Sequence, residues 1–92
     1  MLDILEFEFD DANEPKFAAH GVSTSEVMQV LQGDFRVFRN KRHATGTYLL
    51  IGRTYGGRLL TIPVLETMTS GRWRPITAWD SSPGEVTRYR NK

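Results

Sequence analysis

Two apolar runs joined by a pair of glycines constrain the fold of this chain more than any other feature of its sequence. Residues 47–55 and 58–65 are rich in leucine and β-branched residues, and Gly56 and Gly57 stand between them. Two consecutive glycines can both adopt the positive φ that a type I′ turn requires. The sequence therefore predicts a β-hairpin with these two glycines at the centre of its turn.

This hairpin register makes a specific prediction about two arginines. With Gly56 and Gly57 at the turn, Tyr55 faces Arg58 and Arg53 faces Leu60. Arg53 and Arg58 are then diagonal neighbours on one face, about 7 to 8 Å apart at the backbone. Two guanidiniums at this spacing can converge on one phosphate. A slip of one residue would place them on opposite faces.

The size and composition of the chain limit the kind of site it can form. At 92 residues it is expected to be a single domain spanning residues 1–92, with a surface site rather than a deep cavity. The absence of cysteine excludes disulfides and thiol catalysis. Neither a signal peptide nor a membrane-spanning run is evident, and we expect a cytoplasmic protein without metal or other cofactor.

Charge is distributed unevenly along the chain. Residues 1–35 contain eight acidic residues and one lysine, whereas residues 36–92 contain eleven basic residues, nine of them arginine, and three acidic ones. An arginine-rich half favours an anionic partner, either a nucleic acid or an acidic protein. The alternative is that the two halves neutralise each other in the folded protein.

Hydrophobic periodicity and capping signals predict the remaining elements. They indicate a strand over residues 2–9, a helix from about residue 12 or 15 to 20, a second helix after Ser23, a strand over 35–39, the hairpin, a strand over 73–79, and a last helix after Ser82. Ser23 with Glu26, and Ser82 with Glu85, have the spacing of capping boxes. The order β-α-α-β-β-β-β-α predicts an α+β fold, with helices packed on one side of a twisted, mainly antiparallel sheet.

Several short motifs occur in order over nearly the whole chain and resemble those of a known family. They are Phe7-Glu8-Phe9-Asp10, Asn13, His20-Gly21-Val22, Glu26-Val27, Gly52-Arg53-Thr54, Gly57-Arg58-Leu59 and Arg74-Pro75-Ile76-Thr77-Ala78. In this order they resemble the BrnT family of type II toxins. The resemblance implies a RelE-like fold, metal-independent endoribonuclease activity, and neutralisation by an adjacent antitoxin that binds DNA.

Cleavage of RNA without a metal requires proton transfer at the 2′-hydroxyl and the leaving oxygen, together with cations for the charge that develops on the phosphate. Through the resemblance, His20 is the candidate for proton transfer, and Arg53, Arg58 and Arg74 are the candidates that bind and stabilise the phosphate. His43 is the alternative for proton transfer, and Arg74 could complete a cluster of three arginines. Three further residues are expected to contact RNA: Tyr55, which shares the arginine face, and Arg42 and His43 in a polar loop.

The residues also leave a second interpretation open. The family often has an arginine after the Ile-Thr-Ala motif, where this chain has Trp79. Without that cation, the chain could be a catalytically inactive binding module that acts through a protein partner or a nucleic acid. His20 also has a structural alternative, since a partly positive imidazole is favoured by the macrodipole at the C-terminus of a helix.

Overall fold

A mixed sheet forms the centre of the computed structural model, which describes residues 3–40 and 46–91. Within these residues the elements are, in chain order, β1 (Glu6–Phe7), α1 (Glu14–Ala19), α2 (Thr24–Gln32), β2 (Arg36–Arg39), β3 (Tyr48–Arg53), β4 (Leu59–Glu66), β5 (Arg72–Pro75), β6 (Trp79–Asp80) and α3 (Pro83–Arg90). The strand order is β1-β5-β4-β3-β2, with β6 also beside β4. Only the β1–β5 pair is parallel, so the α+β class and the mainly antiparallel sheet are confirmed. None of the helices in the described ranges has the length and apolar character needed to cross a membrane.

The sheet carries helices on both faces, whereas the sequence predicted them on one. Val27 and Val30 of α2 are buried against Leu50 and Ile62, and this side is called the α1/α2 face. The opposite side is called the α3 face, and there Thr61 of β4 donates a hydrogen bond of 2.9 Å to Glu85 of α3. Because adjacent residues of a strand point to opposite faces, Thr61 faces α3 whereas Ile62 faces α2.

The predicted capping signals are confirmed. Ser23 and Glu26 form a complete capping box at the start of α2, and Ser82 and Glu85 form another at the start of α3. Gly21 ends the first helical segment with a φ of +70°, a conformation that glycine adopts readily. These local signals define the residues at which α2 and α3 begin.

The first strand is shorter than predicted. The N–H groups of Leu5 and Glu6 both donate to the carbonyl oxygen of Gly71, at 2.9 and 3.1 Å, and this doubled contact shifts the alternation of side chains. Ile4 and Phe7 are consequently buried, while Leu5 is 75% exposed. The shift in alternation between Ile4 and Phe7 therefore marks a bulge-like irregularity that limits regular pairing to Glu6–Phe7.

The predicted strand over residues 73–79 is divided into β5 and β6. Both pair with β4, but at different levels: Pro75 lies opposite Val64, and Trp79 lies opposite Thr61. Between these levels, the carbonyl oxygen of Pro63 accepts a hydrogen bond of 2.9 Å from the N–H of Ile76. Pro63 has no N–H to donate, and it lies where the partner of β4 changes from β5 to β6.

The hairpin forms, but its predicted register is wrong by one residue. Arg53 lies opposite Leu59 rather than Leu60. The backbone of Thr54 bonds to that of Arg58 at 2.9 Å, and Gly57 donates to Thr54 at 3.0 Å. Only Gly57 of the glycine pair has a positive φ, +89°. A loop of three residues that ends in a left-handed glycine has therefore replaced the predicted two-residue turn.

We expect Gly52→Ala to destabilise the protein because an added Cβ would lie 2.9 Å from Val30 Cγ1 and 3.2 Å from Phe35 Cα. Overpacking of this kind costs about 1 to 3 kcal/mol. Urea denaturation followed by circular dichroism would measure it. Gly84→Ala is the matched control, since nothing lies within 4 Å of its added Cβ, and alanine favours the helix there. Equal stability of the two variants would contradict the packing of α2 on β3.

Candidate functional site

Arg58 is held between two carboxylates on the α1/α2 face. Its Nε lies 2.6 Å from Asp80 Oδ1, and its Nη1 lies 3.1 Å from Glu26 Oε1. The same Nη1 donates to the carbonyl oxygen of Gly21 at 2.9 Å. Arg58 thereby joins the hairpin to α2, β6 and the end of α1. With one positive and two negative charges, this cluster has a net charge of −1.

The ionisation of this cluster follows from its contacts. The hydrogen bond to Asp80 raises the pKa of Arg58, with a further contribution from Glu26. The guanidinium in turn lowers the pKa of Asp80 below its usual range. The pKa of Glu26 is lowered first by the backbone N–H of Ser23 in the capping box and then by Arg58. All three groups are therefore charged near neutral pH.

Arg53 lies on the α3 face, opposite to Arg58. Its guanidinium carbon is 5.9 Å from the centre of the Tyr89 ring, and its Nη1 donates to the carbonyl oxygen of Gly57 at 3.0 Å. The predicted convergence of Arg53 and Arg58 is wrong, because the three-residue loop shifts the pairing by one position. Their individual roles in RNA binding or catalysis stay predictions.

Arg74 lies far from both hairpin arginines and is also paired with acids. In the backbone pairing of the sheet, Arg74 lies opposite Leu65 of β4, whereas Arg53 lies opposite Leu59 of the same strand. These two positions on β4 are six residues apart. Six residues of a strand span about 20 Å, so Arg74 does not complete a three-arginine cluster. Its guanidinium contacts Asp10 and lies 3.7 Å from Glu8.

The neighbouring residue Arg72 follows the same pattern. It contacts Glu6 at 2.8 Å and Glu8 at 3.2 Å, so β5 presents two arginines to the acidic residues in and after β1. Over the described ranges, no group of acidic or histidine side chains is arranged to hold a metal ion. Asp10, which contacts Arg74, also caps the next segment: its side chain accepts hydrogen bonds from the N–H groups of Ala12 and Asn13.

His20 is exposed at the C-terminus of α1, and its ring lies 6.3 Å from that of Trp79. The carbonyl oxygen of the next residue, Gly21, accepts from Arg58. The structure thus brings His20, Arg58 and Trp79 to one edge, called the histidine edge below. Trp79 donates its indole N–H to Glu85 at 3.1 Å and supplies no charge there.

Three residues remain from the predicted RNA contacts. Tyr55 is 73% exposed at the hairpin loop, and its hydroxyl donates to Gln32 of α2. The N–H of Tyr55 also donates to the side chain of Gln29 at 2.9 Å, so α2 anchors the loop. Arg42 and His43 lie outside the described residues.

Sequence reasoning missed a pair of cationic side chains on the α3 face. The guanidinium carbon of Arg36 lies 5.6 Å from the centre of the Tyr89 ring, which Arg53 also contacts, and that of Arg88 lies 4.4 Å from the centre of the Phe38 ring. Alternation along β2 placed Arg36 and Phe38 on one face of that strand. The missing information was that α3 packs over this face, since no motif in the sequence assigns a helix to one side of a sheet.

Comparison of this chain with models of protein families, with curated proteins and with solved structures finds no match in any of the three. Its function is therefore inferred from its own residues and their geometry.

We expect Arg58→Ala to destabilise the protein by about 1 kcal/mol at neutral pH, because its ionic partners are partly exposed to solvent. The lowered pKa values of Asp80 and Glu26 provide stability that is present above about pH 4 and is lost as the pH falls further. The difference between parent and variant should therefore shrink below that pH.

Denaturation at several pH values between neutral and strongly acidic would test this expectation. The control is Arg90→Ala, since Arg90 is exposed on α3 and has no salt bridge within the described residues. A destabilisation by Arg58→Ala that stayed constant down to low pH would show that the carboxylates are not its cause.

Proposed function

We propose that this chain is a BrnT-like module of a type II toxin–antitoxin system, with a RelE-like fold, that binds its partner in the cytoplasm without cleaving RNA. The observation that carries this proposal is the separation and neutralisation of the motif arginines. Arg58 is enclosed by Glu26 and Asp80, and Arg74 is paired with Asp10. Arg53 lies on the other face of the sheet.

The electrostatics of the histidine edge support the absence of cleavage. A phosphate approaching Arg58 meets the carboxylate of Asp80, whose two oxygens accept from Arg58 Nε and Nη2 at 2.6 and 3.0 Å. Binding would have to displace this bidentate pair, which is a strong type of charge-assisted contact. Stabilisation of a transition state requires cations that are already directed at the developing charge, and here the cation is directed at the protein's own acids.

Trp79 supports the same interpretation. Where the resemblance predicts a cation, the indole ring packs near His20 and donates to Glu85. Glu85 Oε1 also accepts from Thr61 and from the N–H of Ser82. Trp79 is thus part of a hydrogen-bonded group that holds α3 on β4, which is a structural role.

The distribution of unpaired charge favours an anionic partner. Within the described residues, three arginines form salt bridges with acids: Arg58, Arg72 and Arg74. The other described arginines form none, and they are Arg36, Arg39, Arg53, Arg88 and Arg90. Three of these, Arg36, Arg53 and Arg88, lie on the α3 face, where a nucleic acid or an acidic surface of an antitoxin would neutralise them.

A ribonuclease is the second candidate function, and the histidine edge is the observation that favours it. His20, Arg58 and position 79 lie together there. A single cation at position 79 would therefore stand beside a histidine and an arginine, which are the residue types that metal-independent RNA cleavage uses.

We expect the parent protein and Trp79→Arg to leave RNA intact in excess chelator, because Asp80 and Glu26 still neutralise Arg58. Gel analysis of a labelled RNA would measure cleavage, with the uncharged variant Trp79→Gln as the matched control. A positioned cation contributes about 10²- to 10³-fold to such reactions, so a recovered activity would be visible. Cleavage by the parent, or by Trp79→Arg but not by its His20→Ala derivative, would overturn the proposal in favour of a ribonuclease.

A further inference from the structure

Arg36 and Arg53 converge on the ring of Tyr89 from two adjacent strands. Arg36 lies opposite Ile51, and Arg53 is two residues further along β3, so the two arginines are diagonal neighbours on one face. Such neighbours are about 7 to 8 Å apart at the backbone. Their guanidinium carbons lie 5.6 and 5.9 Å from the centre of the same ring. The spacing predicted for Arg53 and Arg58 is therefore realised by a different pair.

No acidic side chain of the described residues neutralises these two guanidiniums. Neither forms a salt bridge with a described acidic residue. The Nε of Arg36 is buried and has no hydrogen-bond partner in the described part of the chain. The packed ring of Tyr89, whose hydroxyl donates to the carbonyl oxygen of Asp34 at 2.7 Å, holds the pair in place. Each cation–π contact offsets only about 0.5 to 1 kcal/mol of the cost of holding two like charges together, so a bound anion would stabilise the pair further.

We propose that Arg36 and Arg53 form a binding site for a backbone phosphate of a nucleic acid. The inference rests on the proposed function and names its partner. A phosphate diester has two free oxygens that can accept from guanidiniums on two sides, and paired arginines are suited to this geometry. Arg88, which covers the Phe38 ring two residues from Arg36, extends the positive charge along the α3 face toward a neighbouring phosphate. A polymer with a phosphate at every unit matches these three arginines better than a single carboxylate does.

The test is a binding titration of the full chain with a labelled single-stranded RNA of about ten nucleotides, a length within the usual range of such sites. A duplex of the same sequence and a polyglutamate peptide are parallel probes. The variant is Arg36→Gln with Arg53→Gln. The control is Arg39→Gln, which removes charge from the same strand but from its opposite face. Thermal melts monitor folding, and a gel of the RNA after each titration monitors cleavage.

We expect the double glutamine variant to bind nucleic acid at least about tenfold more weakly than the parent at physiological salt. Its dependence of log Kd on log salt should be shallower by about 0.7, as for the loss of one phosphate contact on a single strand. Arg39→Gln should change the affinity less than about threefold. A double lysine variant, which keeps both charges, should recover part of the lost affinity. The single-strand and duplex probes then distinguish which nucleic acid is preferred.

The proposal is overturned if the parent binds none of the nucleic acids, or if Arg39→Gln weakens binding as much as the double glutamine variant. It also fails if polyglutamate binds more tightly than RNA, or if the lysine and glutamine variants bind equally weakly. In these cases the protein could still be a non-cleaving module for an antitoxin. Loss of intact RNA on the gel is a separate outcome, since it contradicts the proposed function and not the location of the phosphate site.

Discussion

The backbone pair between Thr54 and Arg58 closes the hairpin loop and sets the register from which the surface chemistry follows. Because the loop contains three residues, Arg53 lies opposite Leu59 on the α3 face. Arg58, at the end of the loop, extends to the α1/α2 face, where it contacts Glu26 and Asp80. A loop shorter by one residue would place both arginines on one face. One turn thus separates an arginine that binds the protein from an arginine that is available to a partner.

Ion pairs between the two halves of the sequence neutralise part of the charge asymmetry. Five of the six salt bridges among the described residues join an acid of residues 1–35 to an arginine of residues 36–92. They hold the β1 segment on β5 and α2 on the hairpin. The structural alternative considered for the sequence is therefore correct for Arg58, Arg72 and Arg74. The charge that remains unpaired is concentrated elsewhere, in part around α3.

How much of this structure the sequence predicts depends on the range of the interactions involved. The capping boxes at Ser23 and Ser82 and the left-handed Gly21 were predicted correctly, because each depends on residues within one helical turn. The hairpin was also predicted. Its loop length was not, since a Gly-Gly pair fits both a two-residue turn and a three-residue loop. Gln29 of α2, which binds the N–H of Tyr55, contributes a distant contact that no local pattern reveals.

The candidate site was predicted only in its parts. His20 and Arg58 meet at one edge as a shared role requires, but the acids that neutralise Arg58 come from α2 and from β6. Arg36 and Tyr89 were missed because their proximity depends on α3 crossing the face of β2 and β3. The short motifs therefore identify positions that lie near the site, whereas tertiary packing decides which arginines can bind an anion.

The main claim is that Arg53 can bind an anion, whereas Arg58 binds the protein's own acids. The most direct test compares the affinities of Arg53→Gln and Arg58→Gln for single-stranded RNA. Both variants remove one positive charge from the same hairpin, so general electrostatics affect them alike. We expect Arg53→Gln to weaken binding several-fold with a loss of stability of no more than about 1 kcal/mol, and Arg58→Gln to lower stability while the folded protein binds as the parent does. Weaker binding by Arg58→Gln with no effect of Arg53→Gln would contradict this claim.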